Sequence, residues 1–331
     1  MLELALENPL AAALGGMWAA LIAGTAASLA IGGRELVARA RTWWWIITPV
    51  TVALLAGTTA TVLFVAAVSF LALRELLSLL PFRAADRPAL LAAFAAIPIQ
   101  YGLVLAHWYG LFAIFLPVYG LAFLTARTVL AGETGGFLRS VGLLQLAVLV
   151  AVYDLSHLAF LAVLPLRDAA PAGGCGLLLF LFLTIALGDV AQFAAGRTFG
   201  RRAPMHRAPV DRAPVDRAPE DRAPMHRVVP RVSPGKTWEG LAGGLLATTV
   251  LGATLGPCLA PFGAAEGAAI GLLLGALGFA GDITLSAVKR DLGLKDSGAC
   301  LPGHGGLMDR LDSLIFAAPV FFHLLRFFHG A

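Results

Sequence analysis

Nine long apolar runs constrain this chain more than any other feature: residues 9–33, 43–73, 89–106, 108–126, 140–166, 174–196, 238–260, 266–284 and 311–328. Most reach the roughly 20 residues that carry a helix across a hydrocarbon core. Lipid offers backbone groups no hydrogen bonds, so helices are the natural spanning element for runs of this length. Only 13% of the residues are charged, against roughly 25% in an ordinary soluble domain, and mean hydropathy is +0.83. A disordered chain, a collagen and a soluble nucleic-acid-binding protein are excluded. The expected fold is an all-α polytopic membrane protein. Glu3 and Glu7 precede any Lys or Arg, so the first run reads as a retained anchor rather than a cleaved signal. Cys175, Cys258 and Cys300 form no CxxC pair, which points to neither a disulfide framework nor a zinc site.

Loop charges set the expected topology. Arg197–Lys236 carries ten Lys and Arg, and Lys289–Arg310 carries four. The positive-inside rule places both in the cytoplasm. Counting back, 127–139 and 74–88 also face the cytoplasm, which suits Arg74, Arg83, Arg87, Arg127 and Arg139. Run 43–73 is long for one upright helix. Read as a hairpin broken near Gly57-Thr58-Thr59, it gives about ten passes with both termini outside; read as one tilted helix it gives nine. The chain divides into an N-terminal transmembrane region, 1–170, and a C-terminal catalytic transmembrane region, 171–331.

From Arg202 the chain reads RAPMH RAPVD RAPVD RAPED RAPMH, five pentapeptides over 202–226. Proline every fifth residue blocks helix and sheet, and no apolar face exists to bury. A disordered or polyproline-like cytoplasmic loop is expected. His206 and His226 within it are too far apart in the chain to suggest a metal site.

Polar residues concentrate in three clusters of the last third: Gly188-Asp189 leading to Gly196-Arg197-Thr198-Phe199-Gly200; Ser233 to Gly240, reading SPGKTWEG; and Gly281 to Asp312, reading GDITLSAVKRDLGLKDSGACLPGHGGLMDRLD. Gly235-Lys236-Thr237 mimics the end of a phosphate-binding loop, but Pro230 stands where the earlier glycine is needed. Asp282, Ser286 and Lys289 share one helical face at i, i+4 and i+7. Asp282 then lies about two turns inside the interface, where a carboxylate is costly unless a cation compensates it. Asp309 and Asp312, at i and i+3, can reach the same place from another helix, and Asp189 offers a further acid. Lys289, Arg290, Lys295, His304 and Arg310 lie between these acids with Gly303, Gly305 and Gly306. Carboxylates, cations and glycines at a membrane surface suit metal-dependent phosphoryl or nucleotidyl transfer.

The stretch Ser286–Asp312, S-A-V-K-R-x4-K-D-S-G-x3-P-G-H-G-G-x2-D-R-x-D, resembles the signature of the phosphatidate cytidylyltransferase family, the CDP-diacylglycerol synthases. The upstream D-x2-A-x-F-x2-G-R-x-F-G and S-P-x-K-T-x-E-G clusters resemble the same family in the same order, so the likeness covers about 189–318. Residues 74–87 and 132–139 resemble a bacterial subgroup less specifically. The resemblance implies that CTP and phosphatidate give CDP-diacylglycerol and pyrophosphate, by attack of the lipid phosphate on the α-phosphorus. It implies a cytoplasm-facing catalytic pocket, Mg2+ with room for a second monovalent or divalent cation, a homodimer and a bacterial inner-membrane location. CTP, phosphatidate or a related lipid phosphate, and membrane lipids are the expected partners; nucleic acid is not.

Carried over by motif, Asp282 and Asp309 are the metal carboxylates, with Asp312 and Asp189 in support. Ser286, Lys289, Lys236 and Lys295 become phosphate or nucleotide contacts. Arg290, Asp296, His304, Gly305, Gly306 and Arg310 are assigned to substrate binding. The chain departs from the family at Leu285, where many bacterial members carry Glu. Its 201–232 loop returns to a short family-like length once the repeat is subtracted.

Plainer readings stand beside these: Lys295-Asp296 as a surface pair, His304 as a loop histidine, Lys236 as a snorkelling anchor, and Asp154 and His157 as a mutually satisfied pair. Two rival functions also remain open. One is a cytidylyltransferase or CTP-dependent kinase acting on another lipid phosphate or an isoprenoid alcohol. The other is an ion-coupled transporter, which predicts inverted internal repeats.

Overall fold

Gly57 divides the ambiguous run. It sits at φ 96°, a conformation that favours glycine, between helices Arg34–Leu55 and Thr58–Leu79. The hairpin reading therefore holds. The computed structural model describes residues 8–32, 34–167, 170–200, 226–298 and 306–330. The pentapeptide repeat except His226 lies outside the described residues, as do His304 and Gly305.

The helices are α1 (Pro9–Ile31), α2 (Arg34–Leu55), α3 (Thr58–Leu79), α4 (Ala84–Leu105), α5 (Tyr109–Val129), α6 (Phe137–Val163), α7 (Gly173–Phe199), α8 (Trp238–Leu259), α9 (Ala264–Asp291), α10 (Met308–Leu311) and α11 (Leu314–His329). Among the described residues eight are long and apolar enough to cross a membrane. The other two expected passes are present as helices that fall short of that standard. α2 carries four charged residues in its first eight positions, and α11 has 16 residues. The protein is an integral membrane protein of the all-α class.

Two helix starts have a clear local cause. Asn8 caps α1 through its side chain, with Pro9 at the first helical position. Thr237 caps α8 by accepting from the Gly240 amide at 3.1 Å. Just before it, β1 (Arg227–Val229) and β2 (Ser233–Thr237) form an antiparallel hairpin. Gly235-Lys236-Thr237 thus belongs to a hairpin strand and not to a phosphate-binding loop. α6 lies at the centre of the bundle, and every residue from Leu155 to Ala162 is buried.

α7, α8 and α9 pack backbone against backbone. Gly240, Gly244, Thr248, Gly252 and Gly256 recur every fourth residue along one buried face of α8. A Cβ on Gly252 would run into the Gly267 carbonyl oxygen, and one on Gly271 into that of Thr248. Close approach through small residues is how helices associate in lipid, where no hydrophobic force draws them together. The four-residue period is plain in the sequence but was not among the motifs singled out above.

Candidate active site

Four segments meet at the end of the bundle where α3, α7 and α9 finish. Gly281 lets α9 approach the α10–α11 junction, since a Cβ there would strike the Asp312 carbonyl oxygen. Gly196 and Gly200 of α7 make room for Thr237, which seats the β1–β2 hairpin beside α9. These contacts explain Gly196 and Gly200 of the first cluster and Gly281 of the third.

Around this junction the acids pair with the bases. Asp282 makes an ion pair with Lys236, and its Oδ1 accepts from Ser286 Oγ at 3.2 Å. Lys236 also lies 5.8 Å from the Phe279 ring centre. Asp309 Oδ1 accepts from Lys289 Nζ at 2.6 Å, with the two side chains 9% and 15% exposed. Asp309 Oδ2 accepts from the amides of Ser297, at 2.9 Å, and Gly306, at 3.0 Å. Burial pushes the Asp309 carboxyl upward, but these donors outweigh it and hold it below the usual aspartate range. Asp189 Oδ2 accepts from Ser313 Oγ at 2.9 Å. Burial raises the Asp312 carboxyl well above its ordinary value, and the nearby Asp282 and Asp189 charges add to the effect.

Asp189 of α7, Asp282 of α9 and Asp312 of the α10–α11 turn thus lie at the same end of the bundle, while Asp309 is engaged with Lys289 and the loop. All four offer the hard oxygen donors that suit magnesium, and the penalty that burial and the neighbouring Asp282 and Asp189 charges place on ionising Asp312 is what a cation would relieve. Among the described residues no three His, Cys, Asp or Glu side chains stand close enough together to hold an ion. Lys236 and Lys289 supply the positive charge there.

A cavity of about 1180 Å³ opens beside this junction. Asp189, Lys295, Asp296, Asp309, Arg310 and Asp312 line its polar part. Its apolar part includes Trp43, Val50, Phe64, Leu71, Phe182 and Ala186 from α2, α3 and α7. Both sequence halves thus build the site.

Other expected residues stand elsewhere. Arg290 is exposed and braces the chain, donating from Nε to the Val232 carbonyl at 3.2 Å and from Nη1 to that of Leu294 at 3.1 Å. Leu285 is buried in an apolar pocket with Leu76, Leu80, Val288 and Met308. Its side chain thus serves the α3–α9 contact. The Asp154 and His157 side chains do not pair with each other in the described geometry: His157 Nδ1 lies 2.8 Å from the Tyr153 carbonyl oxygen. The expected mutual pair is absent because His157 packs edge-on to Phe112, Tyr153 and Phe322.

Two further arrangements complete the site end. Glu75 of α3 reaches the signature loop, accepting from Ser297 Oγ at 2.6 Å, Leu307 N at 2.8 Å and Met308 N at 3.0 Å. The only sequence signal for it is an acid following Arg74 at the end of an apolar run. Asp86 pairs with Arg83 and accepts from Ser140 Oγ at 2.6 Å, while Arg83 Nη1 donates to the carbonyls of Glu133 and Gly135. The two less specific upstream motifs thus bind each other.

A profile of the cytidylyltransferase family matches residues 37–209 and 224–328, interrupted inside the pentapeptide repeat. The chain is 39% identical over 295 residues to the uncharacterized protein YnbB of Escherichia coli K12, covering 89% of each. It is 32% identical over 163 residues to the phosphatidate cytidylyltransferase of Haemophilus influenzae, spanning 48% of either chain. A third relative, the phosphatidate cytidylyltransferase of Staphylococcus haemolyticus, is 28% identical over 268 residues, 81% of this chain and 90% of that one.

Proposed function

The chain belongs to the cytidylyltransferase family, and from that premise we propose that it transfers CMP from CTP to phosphatidate, giving CDP-diacylglycerol and pyrophosphate. The observation that carries this reading is the single cavity with charged residues in one part and apolar walls in the other. A lipid phosphate has that same division. Tails would lie along α2, α3 and α7, and the phosphate would meet Lys295 and Arg310.

An oxygen of the lipid phosphate attacks the α-phosphorus of CTP. The bond from that phosphorus to the bridging oxygen breaks, and pyrophosphate leaves with the electron pair. The attacking oxygen is already ionised, so no protein base is required. The difficulty is electrostatic, because two polyanions must meet where water screens them poorly. Lys289 and Lys236 place fixed positive charge at the junction, each oriented by its aspartate. Preorganised charge of this kind is more effective than solvent because it need not reorient during reaction. Asp189, Asp282 and Asp312 would offer oxygen ligands to a magnesium ion singly or in pairs, since no three of them stand close enough to hold one by themselves, and the ion would supply further neutralisation of the phosphates. The Lys and Arg excess of the loops at this end supports a cytoplasmic site in a bacterial inner membrane.

Purified protein supplied with CTP labelled at the α-phosphate, magnesium and phosphatidate should yield labelled lipid and one pyrophosphate per lipid. Label retained in a lipid only when CTP carries it at the γ-phosphate would indicate the kinase alternative. No magnesium-dependent pyrophosphate release with any lipid phosphate would discard the cytidylyltransferase reading.

A further inference from the structure

Glu75 lies on α3, outside the segments that carry the chemistry, yet its side chain is buried and faces the signature loop. A buried carboxylate is tolerated when donors meet its lone pairs. Three do so, all from the loop: the Ser297 hydroxyl and the amides of Leu307 and Met308. Ser297 is consequently held twice, by its hydroxyl to Glu75 and by its amide to Asp309 Oδ2. Asp309 Oδ2 takes the Gly306 amide as well. Two carboxylates therefore draw Ser297 and Gly306–Asp309 together from opposite sides. Residue 306 has no room for a side chain, since a Cβ would run into Glu75 Oε1 and Ser297 Oγ. Next to Glu75, Leu76 and Leu80 belong to the same buried apolar cluster as Leu285 and Met308, so the carboxylate is carried on a helix seated in the core.

We propose that Glu75 is a positioning residue. It clamps Ser297 and Gly306–Asp309 so that Asp309 keeps its hold on Lys289 and so that Lys295 and Arg310 line the cavity. The proposal rests on the reaction proposed above, for which small displacements of charged groups cost rate steeply.

The test uses the full-length purified protein. Glu75→Gln should lower kcat about 100-fold while the KM for phosphatidate rises by much less, because the apolar walls that hold the tails are untouched. Ser297→Ala should also lower kcat, and the double variant should be no slower than the slower single one, because both remove the same contact. Hydrogen exchange at the Leu307 and Met308 amides should quicken at least about tenfold in Glu75→Gln. Wild-type kcat and exchange in Glu75→Gln, or losses that multiply in the double variant, would overturn the clamp. If the wild-type protein itself shows no turnover, the reaction fails instead, and the exchange measurement decides the clamp alone. Should Glu75→Gln not fold, Ser297→Ala carries the same exchange and kcat comparisons.

Discussion

Asp309 is the residue on which most of the site's geometry depends, since it holds Lys289, Ser297 and Gly306 at once. Asp309→Asn removes the partner of a nearly buried ammonium group and exchanges an acceptor for a donor. Turnover should fall about 10³-fold, with helical content by circular dichroism unchanged, because the change lies at the end of the bundle. The pH dependence has a defined sign. The folded Asp309 carboxyl titrates below its ordinary 3.8. Its contribution is therefore complete above that value and is lost as pH falls through the folded one. Protection of the Ser297 and Gly306 amides, taken relative to their intrinsic exchange at each pH, should thus persist to below pH 3.8 and fall only in stronger acid; loss of protection near neutrality would contradict the assignment. At this scale Asp189, Asp282, Asp309 and Asp312 were legible because acids in or beside apolar runs are costly and need a reason. Glu75 was not, because an Arg-Glu pair at a helix end resembles an ordinary interfacial pair. Its partners lie 222 to 233 residues away, which no local pattern encodes.

Helix packing rests on backbone proximity rather than on large side chains in α7–α9. Gly252→Ala places a methyl against a backbone oxygen that cannot swing aside. It should cost about 1–3 kcal/mol and lower the thermal midpoint. Gly142→Ala in α6 meets nothing within 4 Å, and it should stabilise the helix by about 0.5–1 kcal/mol. Equal effects of the two in thermal unfolding would refute the packing account. Most helices could be read from the length of their apolar runs, and the Gly57 break from the excess length of one run. The charged start of α2 and the 16 residues of α11 were harder, since apolarity alone marks neither as a full span. Trp44 shows the limit of reading by type: a tryptophan beside an apolar run suggests an interfacial anchor, yet it donates to Thr25 Oγ1 at 3.0 Å and packs on Trp18. It therefore ties α2 to α1.

Viewed as a whole, the molecule places the acids and lysines of the site at one end of a bundle and an apolar recess beside them. The opposite end is closed differently, by the Glu266–His329 contact at 2.9 Å and the Arg167 amide on the His329 carbonyl. A recess shared by α2, α3 and α7 cannot be read from sequence, because the segments lining it are far apart and their apolar residues look lipid-facing. Ala186 sits on its wall. Ala186→Trp should raise the KM for phosphatidate about tenfold or more, leaving that for CTP within twofold; equal rises in both would argue that the recess does not receive the lipid tail. The most direct test is photolabelling with phosphatidate carrying a diazirine on an acyl chain. The account requires labelling of α2, α3 and α7 peptides around Trp43–Val50, Phe64–Leu71 and Phe182–Phe193, competed away by unlabelled phosphatidate. Label confined to the outward faces of α5, with no competition, would contradict it.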